Sequence, residues 1–162
     1  MIPEQVLRDI IIHELDVSPE LVVIYGGRFD APKDDSVYIL LKRSTSRVVA
    51  SNNTFDGDTD EEVKSVTRYT TINVELISTS NDVLSISDDV LMSLTSNYAQ
   101  RLSDEHSMRV FRTQTVTDLT AVEGSGPLYR FQIPVIISSV HVKRTNIEPY
   151  ERFRDTDVEV KQ

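Results

Sequence analysis

The sequence predicts an α+β domain: a mixed, mainly antiparallel β-sheet with long strands, and two main helices packed on one face. Three stretches carry this reading. "YTTINVELIS" (69–78) alternates, with Ile72, Val74 and Leu76 on one side and Thr71, Asn73 and Glu75 on the other, the period of a half-buried strand. It runs into "TSNDVLSISDDVLMSLTSNYAQRL", whose apolar residues recur at helical spacing. "LYRFQIPVIISSVHVKR" (128–144) is the strongest strand pattern, with Tyr129, Phe131, Ile133, Val135 and Ile137 on one face.

The first element is a helix over Pro3 to Leu15. Val6, Leu7, Ile10, Ile11 and Leu15 recur at three- and four-residue steps, Pro3 suits the first turn, and Glu4 suits the positive end of the helix dipole. "SPE" (18–20) breaks the chain, and "LVVIY" (21–25) reads as a short buried strand closed by Gly26 and Gly27. "RFDAPKDD" (28–35) is a loop. "SVYILLKR" (36–43) is strand-like with apolar residues on both faces, so it is covered twice or meets a neighbouring subunit. "STSRVVASNNTF" (44–55) opens on a turn-forming cluster and reads as the second arm of a hairpin.

"DGDTDEE" (56–62) is an acidic loop, after which a long strand begins as early as Val63. The second helix lies within Asp82 to Arg101, with Asn81, Ser85 and Ser87 as candidate caps. "SMRVFRTQTVTDLTAV" (107–122) is a threonine-rich strand, "EGSGP" (123–127) a turn, and 128–144 the last strand. Pro134 has no N–H for a ladder, which places that strand at an edge or a bulge there. Strand, helix and strand over 63–119 form a possible crossover unit. The expected division is a single α+β domain over 1–145 and a C-terminal arm or flexible tail over 146–162.

Bulk properties narrow the function classes. With 162 residues, 39% apolar and 27% charged, the chain suits one globular domain that needs no staple. It has no cysteine, which excludes disulfides and thiolate metal sites. The net charge of −9 argues against gripping nucleic acid by counterion release. It is compatible with a ring through which DNA passes without sticking. The first residues carry no signal-peptide pattern, and the longest apolar runs fall far short of the ~20 residues that span a bilayer.

No residue set promises catalysis. Asp56, Asp58 and Asp60 alternate as calcium ligands do, but an EF-hand loop then needs Gly and Glu where this chain has Glu61 and Thr67. A solvated loop, or one facing a basic partner, explains Asp56, Asp58, Asp60, Glu61 and Glu62 better. His13, His106 and His141 lack metal-type spacing. "EGSGP", with Gly124, Ser125 and Gly126, sits between strands rather than on the strand-to-helix turn of a nucleophile elbow. "YGG" (25–27) lacks the phosphate-loop Lys. Lys42, Arg43, Arg109, Arg112, Lys143 and Arg144 fall at predicted strand ends, where they either meet acidic patches on neighbours or face solvent. No cofactor is expected.

Length, element order, the strand "VTRYTTINVELIS" running into "SNDVLSISDDVLMSLTSNYAQRL", and the "YRFQIPV" strand together resemble the tail-terminator and neck-terminator proteins of long-tailed bacteriophages. The resemblance covers roughly residues 3–145. It implies a fold related to the tail-tube subunit and a structural virion protein without catalytic residues. It implies a hexameric ring, formed in solution or only on the tube, that caps the tail tube, stops its polymerisation and docks the head. The implied partners are further copies of the chain, the tail tube protein and a head-completion or neck protein. DNA would pass through the lumen without specific binding, with no membrane involved. The implied place is the virion neck after assembly in the host cytoplasm. The loop 56–62, the turn 123–127 and the tail with Tyr150 and Phe153 would make the contacts. The alternatives are another head–tail completion or minor tail protein and, from a different class, a small calcium- or ligand-binding module.

Overall fold

The computed structural model of the protein describes residues 2–26, 35–56, 59, 61–111, 115–123 and 126–146. Helix α1 (Pro3–Leu15) is followed by a 3-10 turn (Pro19–Leu21) and the short strand β1 (Val22–Ile24). Two very long strands come next, β2 (Tyr38–Asp56) and β3 (Glu61–Ser78), then helices α2 (Val83–Ser93) and α3 (Asn97–Glu105). The chain continues through β4 (Met108–Phe111), β5 (Thr117–Asp118), β6 (Ala121–Glu123) and β7 (Gly126–Asn146). The strands lie in the order β1-β2-β3-β7-β4, with β5 and β6 also pairing β7. All pairings are antiparallel except β1 with β2. The expected α+β class and mainly antiparallel sheet are what the chain forms.

The core lies between one face of the sheet and the helices. Ile39 and Leu41 of β2, Ile72, Val74 and Leu76 of β3, and Ile133, Val135 and Ile137 of β7 pack with Leu7 and Ile11 of α1 and Val83 and Val90 of α2. A smaller cluster joins Val6 and Ile10 of α1 to Ala99 of α3. Period two on the strands and period three-to-four on the helices thus meet in one apolar layer. Helix α1 has the predicted limits, with Pro3 in the first turn, and stops at Asp16, whose φ of 50° is the left-handed C-cap conformation. It is tied to the sheet edge by Arg8, which donates to the Val22 and Pro19 carbonyls at 2.8 and 2.7 Å.

Four sequence expectations change. The helix expected over 82–101 is two helices. Ser96 caps α3 by accepting from the Ala99 N–H at 3.0 Å, and the Ser93 and Thr95 hydroxyls bond back to the Val90 and Met92 carbonyls, loosening the backbone just before it. Of the candidate caps for α2, Ser85 and Ser87 bond backwards to the Asp82 and Leu84 carbonyls, and the cap position belongs to Asp82. The turn expected at 44–46 is absent, because β2 runs straight through it. "STS" holds no Gly or Pro, and the strand absorbs it with a register shift between Arg43 and Thr45. The single strand expected over 107–122 is three short ones laid along β7.

Pro134 meets the expectation of a local edge. Strand β7 is internal, between β3 and the β4, β5 and β6 segments. Among the described residues, β4 pairs 136–139 and β5 pairs 131–132, so Pro134 falls in the gap between them. The missing donor is tolerated because the strand is locally an edge. Strands β3 and β4 are both antiparallel to β7, so α2 and α3 do cross between parallel strands, with β7 inserted between them. The loop 28–35, apart from residue 35, and the tail beyond Asn146 lie outside the described residues.

The body and the outer strands differ in burial, which sets a stability contrast. Leu76→Ala should lower unfolding free energy by roughly 2–5 kcal/mol, whereas Val142→Ala, half exposed at the far end of β7, should change it by no more than about 0.5 kcal/mol. Urea unfolding of the two variants checks this.

Candidate functional site

The sheet outgrows its helical layer. From Lys42 to Phe55 every residue of β2 is exposed, and β7 is exposed from Val140 to Asn146. Among the described residues, β2, β3 and β7 form over this length a three-stranded arm that a helix touches only at its base. At ~3.4 Å per residue, positions 44–56 reach roughly 40 Å. Its ladder reaches the tip, where Asp56 pairs with Glu61 and Glu61 with Asn146.

Register sorts the side chains of the arm into two faces. Directly paired residues share a face, so Val48, Asn53 and Phe55 of β2 join Glu62, Lys64, Val66 and Arg68 of β3 and Ser139, His141 and Lys143 of β7. This is the same side as Ile72, Val74 and Leu76, which is the helix side. It is polar and basic. Lys64 stands directly opposite Lys143, a like-charge pair that Glu62 relieves. Glu62 accepts from Lys64 and from Asn53, at 2.7 and 2.8 Å. Those hydrogen bonds, ahead of the charges of Lys64 and Lys143, hold its carboxyl below the usual range. The other face is more apolar. Tyr69 and Phe111 lie 5.7 Å apart, and Ile136, Val140 and Val142 follow along β7, all exposed by two fifths or more. Arg144 donates to Glu61 there at 3.2 Å.

The arm joins the body at one ion pair. Arg43 donates through Nε and Nη2 to the two carboxylate oxygens of Glu4 at the start of α1, a bidentate contact. Burial pushes the Glu4 carboxyl up, but the Arg43 hydrogen bonds, its own backbone N–H and the Arg43 charge outweigh this, and its pKa lies below the usual value. The same contact raises Arg43. Beside it an open groove is lined by Ile2, Pro3, Ser46, Arg68, Thr70 and His141.

The helical layer has the opposite sign. Asp82, Asp88, Asp89, Asp104 and Glu105 are exposed on α2, α3 and the turn before them, where Arg101 is the sole Lys or Arg. Between the end of α1 and α2 lies a shallow groove lined by Glu14, Leu15, Asp89 and Met92. Leu84 and Met92 on α2 are more than half exposed. Among the described residues no cluster of His, Cys, Asp or Glu could hold a metal ion, and no helix is long and apolar enough to cross a membrane.

A two-faced arm on a charge-segregated body is the geometry of a part that assembles. Residues 4–162 match the phage neck terminator proteins. The chain belongs to that family. No curated protein sequence matches it significantly. As a neck terminator it is a structural protein of the phage head–tail junction, and its place is the tail and neck of the virion.

The terminator's expected contact residues fall into three groups. Asp56, Glu61 and Glu62 are brought together at the arm tip, but as the ends of β2 and β3 rather than as a loop. Asp58 and Asp60 lie outside the described residues. Lys42 and Arg43 sit within β2, which continues past them, whereas Arg109 lies next to the start of β4 and Lys143 and Arg144 lie near the end of β7. Lys42 stacks over Tyr25 at 5.3 Å and Arg43 is held by Glu4. Arg112, Gly124, Ser125, Tyr150 and Phe153 lie outside the described residues, and Gly126 opens β7, paired with Glu123. Sequence reasoning missed Arg47, Arg68 and the arm-face role of His141. The alternation "VHVKR" (140–144) carried the signal, but its face depends on the pairing with β3.

Removing Arg43 leaves the buried Glu4 carboxylate without its bidentate donor. Arg43→Met should cost about 1–3 kcal/mol at neutral pH. The folded-state pKa of Glu4 is depressed, so the contribution is present above its unfolded value and is lost as pH falls through the folded one. The difference between Arg43→Met and the parent protein in urea unfolding should therefore shrink as pH drops below the carboxylate range.

Proposed function

We propose that this neck terminator assembles into a ring, hexameric in the completed particle, that caps the tail tube, stops its polymerisation and presents the surface on which the head or neck docks. Membership of the terminator family supports the place of action. The observation that carries the assembly is the arm, a long ribbon of three strands exposed on both faces in one subunit. Exposed strands of this length and apolar content are ordinarily covered, and copies of the same chain cover them most simply in a closed cyclic assembly. The acidic balance supports passage of DNA through the lumen, since like charge opposes adhesion.

In this reading the arm tip with Asp56, Glu61 and Glu62, the turn around Gly124, Ser125 and Gly126, and the tail with Tyr150 and Phe153 touch neighbours, tube or neck. The basic residues Lys143 and Arg144 serve contacts between subunits rather than nucleic acid.

Negative-stain imaging with self-assembling tail tube protein tests the reading. The expected result is a ring at one end of shortened tubes, with growth stopped at sub-stoichiometric terminator and a native mass of six subunits for the released ring. A protein that stays off the tube ends and remains monomeric would sink it. Deleting 147–162 and neutralising the two loops together should lengthen the tubes again.

A further inference from the structure

We propose that the helix-side face of the arm docks on a second copy of this chain, which it grips at the outward face of α2 and the adjoining end of α1. The inference rests on the ring reading and names the surfaces that would close it.

Charge complementarity is the first ground. The arm face displays Lys64, Arg68, His141 and Lys143, all exposed. The patch on α2 and α1 displays Glu14, Asp88 and Asp89, also exposed. Apolar groups match as well. Val48 and Phe55 lie on the basic face, 53% and 60% exposed, and Leu84 and Met92 lie on the acidic patch, 54% and 60% exposed. Leu84, Asp88 and Met92 are four residues apart and share one side of α2. Each surface therefore offers two bulky apolar groups, among mostly basic residues on the arm and acidic ones on the patch, which is the make-up of a complementary pair.

The two surfaces cannot meet within one chain. Ile2 and Pro3, at the start of α1, border the groove that holds Arg68 and His141. Glu14 and Leu15, at its other end, border the groove that holds Asp89 and Met92. The helix separates the two by roughly 17 Å, and the arm extends further from its own basal groove toward its tip. Contact must run from one subunit to the next, between different surfaces. Such head-to-tail contacts close into rings when the rotation permits.

The face is a better contact than the edges. Strand β2 is disrupted by register shifts between Arg43 and Thr45 and between Val48 and Ala50, and Lys143 and Arg144 mark the outer end of β7. Bulges and charges of this kind discourage strand addition. Nucleic acid is a poorer occupant. Glu62 sits among the basic residues, Phe55 and Val48 interrupt them, and the whole chain carries −9, which repels phosphate.

The test uses the full chain with tail tube protein. Arg68→Glu combined with Lys143→Glu should raise the subunit concentration needed for ring formation roughly tenfold or more. Adding Asp88→Lys with Asp89→Lys in the same chain should restore assembly. Circular dichroism should show both variants folded, since all four positions are exposed. Zero-length carbodiimide coupling of parent rings should link Lys64 or Lys143 to Glu14, Asp88 or Asp89. If parent rings form and the doubly reversed arm assembles equally well, or if the coupled peptides join other surfaces, this interface is wrong while the ring reading stands. If arm reversal abolishes binding to duplex DNA but leaves rings intact, the arm is a nucleic-acid surface and the proposal falls. If the parent protein forms no ring on tubes, the ring reading fails, and this interface fails with it.

Discussion

Strand β3 is paired on both sides from Ile77 to Glu61, to β2 on one flank and β7 on the other. That shared register is the constraint on which the rest depends. Over its last third, β3 presents Ile72, Val74 and Leu76 to the helices and forms the centre of the core. Over its first half the same alternation presents Glu62, Lys64, Val66 and Arg68 on the same side. A slip of one residue would exchange the two faces along the whole length. The buried end thus fixes which residues the exposed end displays, across a distance no side chain spans.

The body supplies what the arm lacks. Three strands without a covering layer have little apolar burial to offset chain entropy. The arm is held because its strands are direct continuations of buried ones, and because the Glu4–Arg43 pair fastens its base to α1. That pair has one partner almost wholly buried and the other about half exposed. It is better understood as fixing orientation than as a large source of stability. An arm so rooted is rigid at its base and accessible along its length, as suits a structural protein of the phage neck.

Charge is distributed by layer. The carboxylates gather on the helices, where Asp82 lies at the positive end of α2 and Asp88 and Asp89 near its middle. The lysines and arginines gather on the sheet. A net charge of −9 conceals this separation, because it averages an acidic layer with a basic ribbon. The basic pairs therefore gain meaning from their position on the sheet and not from their number.

Much of this was legible in the chain itself. The limits of α1 and the long alternating stretches that become β3 and β7 follow from local chemistry, which nearest neighbours in sequence decide. The two-helix break at Thr95 and Ser96 was also written locally, in hydroxyls that bond back or cap, but a continuous apolar stripe masked it. The arm was not legible. "STSRVVASNNTF" has the composition of a turn followed by a strand, and it becomes one unbroken strand because β3 pairs it along its length. Whether Lys64, Arg68 and Lys143 share a face depends on pairing residues some eighty positions apart. Sequence alone determined the limits of α1, the alternating stretches of β3 and β7, and an acidic α+β domain. Only the tertiary structure decided that three of those strands outrun the core and carry one basic face, because register between distant strands is set by the burial of the body and not by the residues of the arm.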